Sequence, residues 1–181
     1  MNGEITRNLS MLNKFKQITT FAFDVDGVLT DGSIILFDDG QQVRKMNIKD
    51  GYALQLAIKK GYRVVVISGG TSDAVRQRLN KLGIHDVFLK VDNKVEVLEQ
   101  YRIEHNLHWQ EILFMGDDIP DYSVMEMVGM PCSPSDAVPE IKHISTYISP
   151  ARGGEGCVRD VIEKVMKLRG HWSIDSSVSS K

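Results

Sequence analysis

Residues 21–32, FAFDVDGVLTDG, run from an apolar strand pattern into three aspartates packed within eight positions. Acidic residues are poor strand formers. Neighbouring carboxylates also repel each other unless a cation or proton neutralises them. Asp24 and Asp26, with only Val25 between them, therefore point to chemistry at the end of a buried strand.

The surrounding pattern sets the fold. Residues 18–25, ITTFAFDV, are rich in β-branched and aromatic residues and predict a core strand. SIILFDDGQQVRKMNI (33–48) reads as two short extended runs around Asp38-Asp39-Gly40, a hairpin turn and not a second acidic site. From Gly51 the spacing of Leu54, Leu56, Ala57 and Ile58 is helical, stopping at Lys59-Lys60-Gly61. YRVVVIS (62–68) is a second core strand, ending at Ser68-Gly69-Gly70; the helix after it takes Thr71 or Ser72 as N-cap and ends near Gly83. DVFLKV (86–91) and EILFMG (111–116) are further strands separated by an amphipathic helix, NKVEVLEQYRIEHN (93–106). DYSVMEMVG (121–129) is helical. Short strands follow around 130–132 and 146–148, with a last helix over about 155–168.

Strands alternating with helices predict the α/β class, a Rossmann-like, mostly parallel sheet with helices on both faces. The expected organisation is an N-terminal extension over 1–17, a single domain over 18–170 with a hairpin insertion at about 31–48, and a small, polar, flexible tail over 171–181.

Composition narrows the function. With 181 residues, 42% of them hydrophobic, and a formal charge of −2, the chain lacks the basic excess of a nucleic-acid or anionic-membrane binder. No stretch approaches the ~20 apolar residues of a membrane span. Residues 1–17 lack the continuous apolar segment of a secretory signal. Cys132 and Cys157 suit a reducing compartment better than a disulfide framework. The expected location is the cytoplasm.

Parallel sheets of this kind bind ligands outside the carboxyl ends of their strands. Here those ends carry Asp24 and Asp26, Ser68-Gly69-Gly70, and Asp117, Asp118 and Asp121. Hard oxygen ligands at this density suit Mg²⁺, and a phosphate completes the charge balance. Asp24 is then placed to attack phosphorus, and Asp26 to protonate the leaving alkoxide and deprotonate the hydrolytic water. Ser68 supplies a hydroxyl, and the backbone at Gly69 and Gly70 supplies N–H groups, to phosphoryl oxygens. Lys94 brings compensating positive charge. The five histidines show no paired metal spacing and read as surface residues.

DVDGV, the serine of ISGG, Lys94 and GDDIPD resemble, in order and spacing, the four motifs of the haloacid dehalogenase-like phosphatases. The resemblance implies Asp24 as nucleophile, Asp26 as acid/base, and Ser68 and Lys94 on the phosphoryl group. It also implies a Mg²⁺ held by Asp24, the main-chain carbonyl of Asp26 and Asp117, with Asp121 supporting near Lys94 and Asp118 less central.

The short hairpin in place of a large cap domain, NIKDGYALQLAIKKG, RLNKLGI and RGGEGCVRDVIE are similar to the 3-deoxy-D-manno-octulosonate 8-phosphate phosphatases. That family implies release of phosphate from a sugar acid on the route to lipopolysaccharide. It also implies a homotetramer in which a neighbouring subunit completes the site. One departure stands out: Ser68-Gly69-Gly70 replaces a Thr-Gly-Arg common among relatives, so an arginine near the substrate is missing. Arg76, Arg78, Lys49 or Arg152 are candidates to replace it. Arg152 with Gly153, Gly154 and Gly156 is either an anion-binding loop or a plain turn.

Three other functions fit parts of the pattern. A nine-carbon, sialic-type keto-acid 9-phosphate shares the acid head and terminal phosphate. A phosphoaspartate receiver domain has similar residues, but its phosphoacceptor ends a later strand. A catalytically silent assembly module would not need every one of these residues in place.

Overall fold

A computed structural model describes residues 2–178, with side chains from residue 9 onward. Thr20–Phe23 form β1, every residue of it buried. After an irregular helical turn at Val25–Leu29, β2 (Ile35–Leu36) and β3 (Gln42–Val43) pair antiparallel as the expected hairpin. Phe37 and Gly40 close its tip by backbone hydrogen bonds, with Gly40 at φ 84°, so Asp38-Asp39-Gly40 is a turn. The remaining strands are β4 (Arg63–Ile67), β5 (Asp86–Phe88), β6 (Ile112–Met115), β7 (Met130–Ser133) and β8 (Tyr147–Ile148). The six-stranded sheet has the order β5-β4-β1-β6-β7-β8, with every pairing parallel.

The two faces of the sheet read directly from strand alternation. Phe21 and Phe23 of β1, Val64 and Val66 of β4, and Leu113 and Met115 of β6 point to one side. There they pack with α1 (Asn2–Gln17, through Phe15), α2 (Ile48–Lys59), α3 (Asp73–Lys81) and α7 (Cys157–Leu168). Ala22, Val65, Ile67, Ile112 and Phe114 face α4 (Lys94–Glu104), α5 (Tyr122–Met127) and α6 (Pro139–Ile144). Burying each large apolar side chain contributes about 1.5–3 kcal/mol.

Helix starts follow capping chemistry. Asn47 accepts from Lys49 N–H, so α2 begins three residues before Gly51; Ser72 accepts from Val75 N–H, and Asn93 from Glu96 N–H. Two helices were not expected from the sequence. Among the described side chains of α1, Met11 and Phe15 meet the core, with Ile18 just beyond it; α6 is a short turn begun by Pro139.

Asp50, in the first turn of α2, accepts Arg159 N–H at 2.7 Å and so ties α2 to the start of α7. Its other carboxylate oxygen is buried and has no hydrogen-bond partner.

Within the described part of the tail, His171, Trp172 and Asp175 touch the body, while Ile174 stays exposed. His171 Nδ1 lies 2.8 Å from the Tyr62 hydroxyl, Trp172 meets Tyr52 edge to face, and Lys59 pairs with Asp175 at 2.7 Å. Met1 and residues 179–181, the ends of the expected extension and tail, lie outside the described residues.

Candidate active site

The site stands at the carboxyl ends of β1, β4 and β6, where parallel topology leaves a crevice. Asp24 directly follows β1 and Asp117 lies two residues beyond β6; these strands are neighbours in the sheet. Ser68 directly follows β4 on the other side of β1. Lys94 opens α4 and Asp121 precedes α5.

These residues converge. Lys94 Nζ is 2.9 Å from Asp24 Oδ1 and 2.6 Å from Asp121 Oδ1. Asp121 Oδ2 accepts Asp117 N–H at 3.1 Å. Oxygens of Asp24, Asp117 and Asp121 lie within 4.8 Å of one another. Ser68 is buried, and its Oγ accepts Gly70 N–H at 3.1 Å, leaving its own O–H to donate. Asp24, Ser68, Lys94 and Asp117, with Asp26, Gly69, Gly70, Asp92 and Asp118, line a cavity of about 340 Å³, and Asp121 stands behind Lys94.

One lysine faces two buried carboxylates and a half-buried third, and the titration behaviour follows from that imbalance. Burial, then the charge of Asp121, pushes Asp24 up to about 6 despite Lys94. Burial, then Asp24, Asp121 and Asp118, pushes Asp117 up to about 7. Burial also raises Asp121 against the pull of Lys94. Burial works against the charge on Lys94, but Asp24 and Asp121 outweigh it and hold its pKa above the usual lysine value. Asp117 Oδ1 is buried without a hydrogen-bond partner. A cluster short of positive charge, with an unpartnered carboxylate oxygen, suits a divalent cation.

The turn after Asp24 is shaped for this. Asp26 keeps extended dihedrals (φ −76°, ψ 119°) and Gly27 turns at φ 85°. A Cβ on Gly27 would stand 2.0 Å from Asp117 Oδ2, so only glycine lets the carboxylate approach. Thr30, which sequence reasoning did not single out, is buried; its Oγ accepts from Gly27 and Gly32 N–H and donates to the Val25 carbonyl.

The glycine loop before α7 is a brace. Gly154 N–H donates to the Val28 carbonyl at 2.9 Å, and a Cβ on Gly153 would stand 1.9 Å from the Gly27 carbonyl oxygen. Arg152, expected at the substrate, pairs instead with Asp136 at 3.3 Å and is not among the residues lining the cavity. Arg76 donates to the Val87 carbonyl, Arg78 lies beside Gly51, and Lys49 lies on a separate groove along α7. That groove also measures about 340 Å³, but ion pairs such as Arg159–Glu163 and Lys164–Asp160 satisfy its charges among themselves.

The cation that reaches the acids is Arg44, just after β3. It bonds Asp26 through Nε at 2.7 Å and Nη2 at 3.3 Å. The isolated bridge between Thr30 and Met46, two residues on, ties this segment beside the site, a tertiary contact that the local sequence pattern does not carry.

No family model matches the chain. A curated relative, 3-deoxy-D-manno-octulosonate 8-phosphate phosphatase KdsC of Escherichia coli K12, is 29% identical over 160 residues, spanning 88% of this chain and 85% of the relative. The crystal structure of 3-deoxy-D-manno-octulosonate 8-phosphate phosphatase from Moraxella catarrhalis, in complex with magnesium ion, phosphate ion and the sugar acid KDO, is 31% identical. It superposes with a TM-score of 0.85 over 87% of this chain and 91% of that one. A hydrolase assigned to the haloacid dehalogenase superfamily, subfamily III A, from Legionella pneumophila gives a TM-score of 0.89 at 28% identity, over 93% and 92% of the two chains. Motif order, sheet topology and these likenesses agree: the chain belongs to the haloacid dehalogenase-like phosphatases, hydrolases of phosphoric monoesters, and within them to the family of 3-deoxy-D-manno-octulosonate 8-phosphate phosphatases.

Proposed function

We propose that this protein is a Mg²⁺-dependent phosphatase that hydrolyses 3-deoxy-D-manno-octulosonate 8-phosphate to the free sugar acid and phosphate, in lipopolysaccharide synthesis. The observation that carries the reading is the cluster of Asp24, Asp117 and Asp121 around Lys94 at the mouth of the sheet. The Moraxella relative, bound to magnesium, phosphate and KDO, supports the substrate, the metal and the product class.

Asp24 attacks phosphorus, the phosphorus–oxygen ester bond breaks, and the phosphoryl group passes to the Asp24 carboxylate. Asp26 gives its proton to the departing sugar oxygen, then takes one from the water that cleaves the aspartyl-phosphate and releases phosphate. Lys94 and the Ser68 hydroxyl hold the phosphoryl oxygens, helped by N–H groups at Gly69 and Gly70. Asp121 positions Lys94 and the Asp117 backbone. Asp24, the Asp26 carbonyl and Asp117 hold Mg²⁺, which neutralises charge on the carboxylates and phosphoryl oxygens.

The apolar hairpin, with Ile35, Leu36 and Phe37 exposed, supports a homotetramer in which a neighbouring subunit completes the site; the solution mass by light scattering tests this. Two free cysteines, both buried, support a cytoplasmic location. No helix among the described residues is long and apolar enough to cross a membrane.

The test is phosphate release, with and without Mg²⁺, from 3-deoxy-D-manno-octulosonate 8-phosphate, nine-carbon keto-acid 9-phosphates and hexose phosphates. Strong Mg²⁺-dependent preference for the eight-carbon acid is expected. Preference for a nine-carbon acid would overturn the substrate, and near-normal turnover by Asp24→Asn would overturn the mechanism.

A further inference from the structure

Three separate segments meet at the edge of the catalytic cavity, where Asp26 and Gly70 line it and Arg44 stands behind them, lining the adjoining pocket with Ser72 and Val75. The hairpin brings Arg44, the turn after β1 brings Asp26, and the end of β4 brings Gly70. A Cβ on Gly70 would stand 3.2 Å from Asp26 Oδ2, 3.4 Å from Ser68 Oγ and 3.7 Å from Arg44 Nη2. Any longer side chain at position 70 would therefore enter the space used by the Arg44–Asp26 pair. The bare glycine and the hairpin arginine are two parts of one arrangement.

Arg44 is also built in, not laid on the surface. Its side chain is 7% exposed, while that of Asp26 is 34% exposed. Its guanidinium meets the carboxylate through two donors, the geometry in which arginine recognises a planar carboxylate. The other cation of the site is already committed, since Lys94 bonds Asp24 and Asp121. A sugar-acid phosphate carries two anions. The phosphoryl group falls to Lys94, Ser68 and the metal, and no second cation stands among the described residues of this subunit that line the cavity.

We propose that Arg44 binds the substrate carboxylate and sets the preference for acidic over neutral sugar phosphates. This rests on the function proposed above. Asp26 holds the guanidinium at the cavity in the ligand-free protein, and N–H donors not used by Asp26 take the incoming carboxylate. The specificity determinant thus comes from the inserted hairpin, where position 70 on the central sheet carries no side chain.

The test compares kcat/KM for 3-deoxy-D-manno-octulosonate 8-phosphate and for a neutral hexose 6-phosphate in wild type, Arg44→Met, Arg44→Lys and the double variant Arg44→Met/Gly70→Arg. Arg44→Met is expected to lower the acid-to-neutral ratio about 10- to 100-fold. Arg44→Lys, which keeps the charge but not the fork, should fall between. Gly70→Arg should recover part of the ratio once Arg44 no longer fills the space. Product inhibition separates the two anions: the free sugar acid should bind Arg44→Met more weakly, while inhibition by inorganic phosphate changes less. Equal weakening of both would assign Arg44 to the phosphoryl group and overturn the inference. A wild-type preference for the acid that survives Arg44→Met would overturn this inference alone. No preference in the wild type would overturn the proposed function and this inference with it.

Discussion

Replacing Asp50 with asparagine is expected to flatten the protein's loss of stability between mildly acidic and neutral pH. The carboxyl is 1% exposed, and one oxygen has no partner while the other accepts Arg159 N–H. Burial is the dominant influence and pushes its pKa from the ordinary 3.8 up to about 6, with the Arg159 N–H and charge offsetting only part. A group that ionises late in the folded state favours folding most below its unfolded pKa. That advantage is lost as pH rises from about 4 to about 6. The displacement corresponds to about 3 kcal/mol, of which about 2 kcal/mol falls between about pH 4.5 and about pH 7.5. Asparagine stays neutral throughout and keeps an oxygen for Arg159 N–H. The stability of Asp50→Asn relative to wild type should therefore rise by about 2 kcal/mol across that window. Urea unfolding of both proteins in chelator, at several pH values, measures the difference directly, and other titrating groups cancel in the comparison. A difference that is flat with pH, or that falls, would refute the reasoning.

Metal affinity should weaken as pH falls below about 7, because Asp117 and Asp24 must lose the protons they hold up to about 7 and about 6. Calorimetry in buffers of different ionisation enthalpy should show proton release on Mg²⁺ binding, and pH-independent affinity would contradict this. Gly27→Ala forces a Cβ to within 2.0 Å of Asp117 Oδ2 and should lower turnover about 100-fold. Phosphate-release kinetics with a Mg²⁺ titration check it. Lys94→Met leaves its carboxylate partners without their cation and should destabilise the metal-free protein by about 3 kcal/mol, read from urea midpoints. Added Mg²⁺ should return part of that loss.

Strand ends were the legible part of this chain. Runs such as VVVI in β4 and ILFM in β6 are apolar on consecutive residues because both faces are covered, and each stops at a serine or glycine that opens the site. Once a parallel sheet is inferred, the convergence of Asp24, Ser68, Lys94 and Asp117 follows from topology alone. Helix α1 was illegible because its apolar residues are interrupted by polar ones with little period, and α6 because six residues carry too little periodicity. Arg44 escaped notice for a different reason. A hairpin's local pattern fixes its turn, but its angle against the sheet is a tertiary property, and that angle carries Arg44 onto Asp26. The loop after Arg152 was open to two readings in the sequence, and the small size of Gly153 and Gly154 serves close backbone packing against Gly27 and Thr30.

The brace on the turn after Asp24 has a consequence in time. Val28 offers its carbonyl to Gly154 N–H and also to the thiol of Cys157, 129 residues later in the chain. A ribosome adding about 5–20 residues per second needs on the order of ten seconds to cover that distance. Throughout that interval the nascent chain carries Asp24 on a turn that has not been fastened. Asp24, the first acid of the cluster to be synthesised, is thus set only once the start of α7 has emerged and closed on Val28.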